Sequence, residues 1–88
     1  MRLTGKCLDD FELWVNSEMY EIDNECSDIL LNTLIIEFFD STWIYVNVLR
    51  YNDKWKMIVE NQFRYTFDSR QEAINEAIIK ANDLYNRE

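Results

Sequence analysis

Carboxylate side chains are the first candidates for chemistry in this sequence, because the chain contains no histidine. Glu37 and Asp40 are three residues apart and would share one face of a helix. Asp23, Glu25 and Asp28 alternate as in a calcium loop, but this segment is shorter than an EF-hand loop and lacks its glycine. No further oxygen ligands can be assigned to either group. We interpret both as surface charge and predict no catalytic residue, metal site or cofactor.

The two cysteines are the remaining candidate nucleophiles. Neither Cys7 nor Cys26 has a histidine to activate it, and a position near a helix start could at most acidify the Cys7 thiol mildly. If a helix separates them, their Cα atoms lie roughly 15–20 Å apart, too far for a disulfide bond. We therefore predict two reduced structural thiols and a protein that is not an enzyme. A carboxylate-based hydrolase is the enzymatic alternative.

The acidity of the chain is confined to its first half. The net charge is −8, and residues 1–42 carry ten acidic and two basic side chains, whereas residues 43–88 carry seven of each. Such a field repels the phosphates of nucleic acids and membranes and favours basic partners. We define the acidic patch as Asp9, Asp10, Glu12, Glu18, Glu21, Asp23 and Glu25.

Two helices are predicted in this acidic half. Apolar residues recur at helical spacing from Leu8 to about Tyr20, and the first turn of that helix would hold Asp9, Asp10 and Glu12, where the helix dipole favours anions. Residues 21–28 are polar and indicate a loop.

A second helix is predicted to begin after Ser27, a suitable N-cap residue. Its apolar stripe includes Leu34 and Phe38, while Asn32 and Glu37 are expected on other faces. The polar residues 40–42 would end it.

Three antiparallel strands are predicted next. Residues 43–51 are mainly β-branched and aromatic, and residues 54–60 follow a plausible two-residue turn at Asn52–Asp53. A loop at residues 60–62 then leads into a third strand. The resulting register pairs Val46 with Val59 and Val59 with Phe63.

This register separates two faces. The expected core face carries Ile44, Val46, Val48, Trp55, Met57, Val59, Phe63, Tyr65 and Phe67. The candidate partner-binding residues on the other face are Tyr45, Leu49, Tyr51, Lys56, Ile58 and Arg64. Tyrosines among basic residues can stack single-stranded bases, but nucleic-acid-binding domains are usually strongly basic, and this chain is acidic. We therefore favour a protein partner or a second copy of the chain.

A last helix is predicted after a capping box formed by Ser69 and Glu72. Its apolar stripe comprises Ile74, Ala77, Ile78, Ala81 and Tyr85. The predicted fold is a single α+β domain over residues 1–88, with two N-terminal helices, a three-stranded antiparallel meander and a C-terminal helix. In this α-α-β-β-β-α order the helices pack on one sheet face.

Three sequence blocks occur in order along the chain: G-K-C-x-x-D-F-E-x-W at 5–14, E-F-F-D-S at 37–41, and R-x-E-A followed by A-I-x-K-A-N-x-x-Y-N at 70–86. Together they resemble a set of short, uncharacterised phage and prophage proteins. The resemblance implies a phage origin and an α+β fold, and it brings no known activity and no site residue.

The combined expectation is a small, acidic, non-enzymatic accessory protein of phage or prophage type that acts by protein–protein binding. The alternative is an acidic mimic of nucleic acid that inhibits a host defence protein, in the manner of anti-restriction or anti-CRISPR proteins. The N-terminus lacks the apolar core of a signal peptide, and there is no 18-residue apolar run. We therefore expect a cytoplasmic protein with no membrane contact, and a homo-oligomer is possible.

Overall fold

A computed structural model describes residues 2–18 and 28–87. The elements in chain order are α1 (Gly5–Ser17), α2 (Asp28–Asp40), β1 (Val46–Tyr51), β2 (Lys54–Val59), β3 (Phe63–Phe67) and α3 (Arg70–Arg87). The predicted α-α-β-β-β-α fold is therefore confirmed. The predicted N-cap Ser27, and all of the loop before Asp28, lie outside the described residues.

The sheet is an antiparallel meander in which β2 lies between β1 and β3. The predicted register is confirmed, because Val46 pairs with Val59 and Val59 pairs with Phe63. Asn52 in the first turn has a φ of 55°, a left-handed conformation that asparagine tolerates well. β1 is shorter than predicted, since the N–H of Ile44 donates a hydrogen bond to the Thr42 hydroxyl at 3.1 Å and the chain pairs with β2 from Val46 onward.

Helix α1 begins earlier than predicted. Thr4 is its N-cap residue, and the N–H of Leu8 already donates to the Thr4 carbonyl at 3.2 Å. The first turn of α1 therefore contains none of the acidic residues expected there, and the dipole argument for Asp9, Asp10 and Glu12 was wrong. Glycine at position 5 permits the early start, because its φ of +58° is one that other residues rarely adopt.

Helix α2 ends at Asp40, as predicted, and the next two hydroxyl groups complete its last turn. Ser41 and Thr42 donate hydrogen bonds to the carbonyls of Phe38 and Phe39 at 2.6 and 2.7 Å. The same two carbonyls also accept the backbone N–H groups of Ser41 and Thr42, both at 3.0 Å, so the end of the helix is closed by backbone and side-chain bonds together. The prediction for Asn32 was wrong: it is buried, with 4% of its surface exposed, and its side-chain oxygen accepts a hydrogen bond from Arg2.

The core lies between the sheet and the helices, with α3 in contact with all three strands. Phe38 joins the helices, because its ring lies 5.5 Å from that of Phe11 in α1 and 5.7 Å from that of Tyr85 in α3. The predicted core position of Tyr65 was wrong, since its side chain is 52% exposed whereas Met57, its partner on β2, is fully buried. β3 is an outer strand, and α3 contacts β2 more extensively.

Candidate functional site

The sheet face opposite the helices, here called the open face, carries the candidate partner-binding residues in cross-strand rows. One row joins Asn47, Ile58 and Arg64, and the next joins Leu49 and Lys56. Ile58, Leu49 and Lys56 are half-buried by their neighbours in the sheet, and Arg64 is exposed. The register thus gathers apolar and cationic groups from all three strands into one continuous surface.

Two tyrosines extend this surface at either end of β1. Tyr45 and Tyr51 expose 54% and 53% of their side chains. The ammonium group of Lys56 lies 5.0 Å from the centre of the Tyr51 ring, a cation–π distance that partly orders both side chains. Tyr45 is positioned by its backbone, since its N–H donates to the Glu60 carboxylate at 2.6 Å and its carbonyl accepts from the Glu60 N–H at 2.8 Å.

The strands contain basic residues and no acidic residue. Their four basic side chains are Arg50, Lys54, Lys56 and Arg64. Lys54 pairs with Tyr51 and so belongs to the open face, although we did not predict it as a site residue. Counting charge strand by strand, instead of over the whole second half of the chain, would have identified it. Lys54 also forms an ion pair with Asp68 at the rim of the open face.

Arg50 lies on the helix side of the sheet and has a structural role. Its guanidinium group lies 5.4 Å from the centre of the Trp55 ring, and that of Arg70 lies 5.9 Å from the same ring. Trp55 is thereby covered by two cations at the end of the core. We do not include Arg50 or Arg70 in the open face.

The acidic patch is less uniform than the sequence suggested. Asp9, Glu12 and Glu18 are exposed. Asp10 instead binds within the protein, because its Oδ2 accepts hydrogen bonds from Lys6 at 2.5 Å and from the Tyr85 hydroxyl at 2.7 Å. Both hydrogen bonds lower the pKa of Asp10, and the bond from Lys6 makes the larger contribution.

The remaining acidic-patch residues are Glu21, Asp23 and Glu25, which lie outside the described residues. Leu13 in α1 is also exposed, at 68% of its surface, so the described part of this surface is not purely anionic.

Cys7 is a buried thiol inside the core. Burial, with a smaller contribution from Asp10, raises its pKa to about 12. Cys7 is therefore not acidified even mildly, because desolvation of the thiolate outweighs any effect of the nearby helix start. Cys26 lies outside the described residues.

Glu37 and Asp40 are both exposed. Within residues 2–18 and 28–87 there is no group of three or more histidine, cysteine or carboxylate side chains that could hold a metal ion.

The start of α1 and the end of α3 meet in the fold, where Thr4 contacts Asn82 and Asn86. Thr4 accepts hydrogen bonds from Asn86 Nδ2 at 2.9 Å, through its carbonyl, and from Asn82 Nδ2 at 3.1 Å, through its hydroxyl. Gly5 leaves room for this contact, since a Cβ atom there would lie 3.3 Å from the Asn86 side-chain oxygen. The polar groups of this cluster hydrogen-bond to one another, so the cluster has a structural role.

Comparison with known protein families, with curated proteins and with solved structures found no match. In the part of the chain that the structure describes, no helix combines the length and the apolar character needed to cross a membrane. The open face therefore has to be interpreted from its own residues.

Proposed function

We propose that this chain is a small, non-enzymatic accessory protein of phage or prophage type that binds another protein through its open face. The observation that carries the proposal is the one-sided packing of the helices. They cover the face of Met57 and Val59 and leave uncovered a surface with half-buried Leu49 and Ile58 between exposed Tyr45 and Tyr51. Apolar residues surrounded by polar ones are typical of protein-binding surfaces.

The charges of the open face indicate the chemistry of the partner. Lys56 and Arg64 adjoin the apolar centre, and the strands bring no acidic residue to it. A partner with an apolar centre and an acidic rim would be complementary, and its encounter with this face would weaken with salt. Single-stranded nucleic acid also offers anions, but the net charge of −8 opposes it at longer range.

The direct test is capture of proteins from a host lysate by the unmodified chain and by a variant with Tyr45→Ala and Leu49→Ser. The unmodified chain should retain a partner that the variant loses. Leu13→Ser is the matched control, because it removes an exposed leucine of α1 and leaves the sheet intact. Equal capture by all three proteins would refute the proposal.

Fluorescence anisotropy with a labelled single-stranded oligonucleotide tests the competing ligand. We expect no binding at physiological salt. If the chain binds the oligonucleotide and both Tyr45→Ala and Lys56→Ala weaken that binding, the open face is a nucleic-acid site instead. Tyr45 would then stack on a base and Lys56 would contact phosphate.

The acidic mimic is the second proposed function, and the exposure of Asp9, Glu12 and Glu18 favours it. Such a protein would occupy the basic nucleic-acid site of a host defence enzyme. The test is Asp9→Lys with Glu12→Lys, leaving Asp10 unchanged because it binds Lys6 and Tyr85. If the captured partners and their salt sensitivity do not change, the acidic residues of α1 serve solubility alone.

A further inference from the structure

The outer edge of β3 has unpaired backbone groups whose identity follows from the register. Tyr51 pairs with Lys54 across the two-residue turn, and the Glu60 N–H donates a hydrogen bond to the Tyr45 carbonyl. Because hydrogen-bonded pairs alternate along an antiparallel ladder, the even-numbered residues of β2 form their backbone hydrogen bonds with β1. The odd-numbered ones then bond to β3, at Phe63, Tyr65 and Phe67. The backbone N–H and C=O groups of Arg64 and Thr66 therefore point away from β2, towards the open edge of the sheet.

An open groove of about 520 Å³ lies beside this edge, between β3 and α3. Its lining residues are Arg64, Tyr65, Thr66, Phe67, Glu76 and Lys80. Tyr65 stands in it with 52% of its surface exposed, although it points to the helix side of the sheet. A large aromatic residue on the core side of an edge strand, next to free hydrogen-bonding groups, indicates a surface that another strand covers.

The pattern of aromatic and polar residues in β3 is symmetrical about Tyr65. Phe63–Phe67 reads F-R-Y-T-F, with aromatic residues at both ends and at the centre and polar residues between them. If a second copy adds antiparallel with Tyr65 opposite Tyr65, Arg64 of each copy faces Thr66 of the other. These two are the residues with free backbone groups, so all the outward groups of the strand find partners.

This alignment is also favourable for side chains. Tyr65 falls at a non-hydrogen-bonded pair, where facing side chains approach most closely, and Phe63 faces Phe67 of the second copy. Arg64 faces a neutral residue, so no like charges are directly opposite in the strand pair. Glu76 and Lys80 bring both signs of charge from each copy to the junction.

We propose that two copies of this chain associate through their β3 edges, around a two-fold axis at Tyr65, and form a continuous six-stranded sheet. The axis stands perpendicular to the sheet, so both open faces lie on the same side. Dimerisation would then double the partner-binding surface and allow bivalent binding. The dimer itself does not depend on the proposed function and can be tested without any partner.

Sedimentation equilibrium over a concentration series measures the association. A small strand-mediated interface predicts reversible behaviour, with the mass rising from the 10.7 kDa of one chain towards twice that value. Thr66→Pro removes the outward N–H, which β2 does not use, and by symmetry it removes two hydrogen bonds per dimer. We expect it to weaken association at least about tenfold. Thr66→Val keeps the N–H and is the matched control, which should still dimerise.

A charge exchange at the axis tests the pairing itself. Because residue 65 would face its own copy, Tyr65→Lys and Tyr65→Glu should each be monomeric, and an equimolar mixture of the two should dimerise. Both substitutions lie at a half-exposed site, and circular dichroism verifies that each variant is folded. A monomeric unmodified protein, or a dimer that survives Thr66→Pro, would overturn the proposal. So would a mixture that stays monomeric, or one that dimerises no more than its separate components.

Discussion

The backbone N–H of Cys7 donates a hydrogen bond of 2.9 Å to the side-chain oxygen of Asn86, which lies 79 positions later in the chain. Cys7 is the third residue of α1, and its N–H is one of the groups that an N-cap side chain normally satisfies. Thr4, the N-cap residue, makes no such bond with its own side chain. Asn86 of α3 therefore caps α1 in its place, and its amide nitrogen returns a hydrogen bond of 2.9 Å to the Thr4 carbonyl.

Asn86→Ala should destabilise the fold, because it leaves the Cys7 N–H without its partner inside the protein. We expect a loss of about 1–3 kcal/mol in the free energy of unfolding, measured by urea denaturation. Asn86→Asp is the conservative comparison: it keeps an acceptor for Cys7 and adds a favourable charge at the helix N-terminus, so it should lose less. If both variants unfold at the urea concentration of the unmodified protein, Asn86 does not act as a cap.

The order of elements and the strand register could be predicted because both depend on local patterns. Alternation of apolar residues identifies the faces of a strand, and a two-residue turn fixes which residues are opposite each other. The same reasoning failed at Tyr65, because alternation assigns a residue to a face but does not tell how far a helix extends over that face. Exposure at a sheet edge depends on the placement of α3, which is a property of the whole fold.

Polar residues in the core were the second limit of prediction. Asn32 and Asn82 are buried, with 4% and 5% of their surfaces exposed, yet hydropathy alone assigns asparagine to the surface. Burial of Asn82 does not leave its side-chain amide without partners, because it hydrogen-bonds to both the N–H and the hydroxyl of Thr4, 78 positions away. Partners so distant in sequence become visible only in the folded structure.

The ion pair of Asp10 should make the stability of the protein depend on pH in the acid range. Hydrogen bonds from Lys6 and Tyr85 lower the pKa of Asp10 in the folded state below its ordinary value of 3.8. A carboxyl group of this kind stabilises the fold above its unfolded pKa, and the stabilisation is lost as pH falls through the folded pKa. Asp10→Asn should therefore lower the melting temperature at pH 6, and the difference from the unmodified protein should shrink below about pH 4.

Two further variants identify the origin of this effect. Tyr85→Phe removes one donor to Asp10 and should reproduce part of the change. Asp9→Asn removes the exposed neighbouring carboxylate and leaves both hydrogen bonds to Asp10 in place, so it is the matched control. A constant difference between Asp10→Asn and the unmodified protein from pH 2 to pH 7 would contradict the role of ionised Asp10.

Cys7 should be unreactive in the native protein, because its thiol is buried and its pKa is raised to about 12 by that burial. In a Cys26→Ser background only this thiol is present. We expect alkylation by iodoacetamide at pH 8 to be at least about 100-fold slower than in the urea-unfolded chain, since reaction requires opening of the core. A native rate close to the unfolded rate would show that the thiol is accessible and that the N-terminal segment opens easily.

Neighbouring residues of β2 provide the last test, because they separate the face used for folding from the face proposed for binding. Val59 is fully buried under the helices, whereas Ile58 is half-buried on the open face. Val59→Thr places a hydroxyl in the core and should cost about 1–3 kcal/mol in the free energy of unfolding, whereas Ile58→Thr should cost less than about 1 kcal/mol. Only Ile58→Thr should weaken capture of a partner when both folded variants are compared below their unfolding transitions. Equal costs of unfolding would mean that the open face is already covered in the isolated protein, and partner binding there would then be excluded.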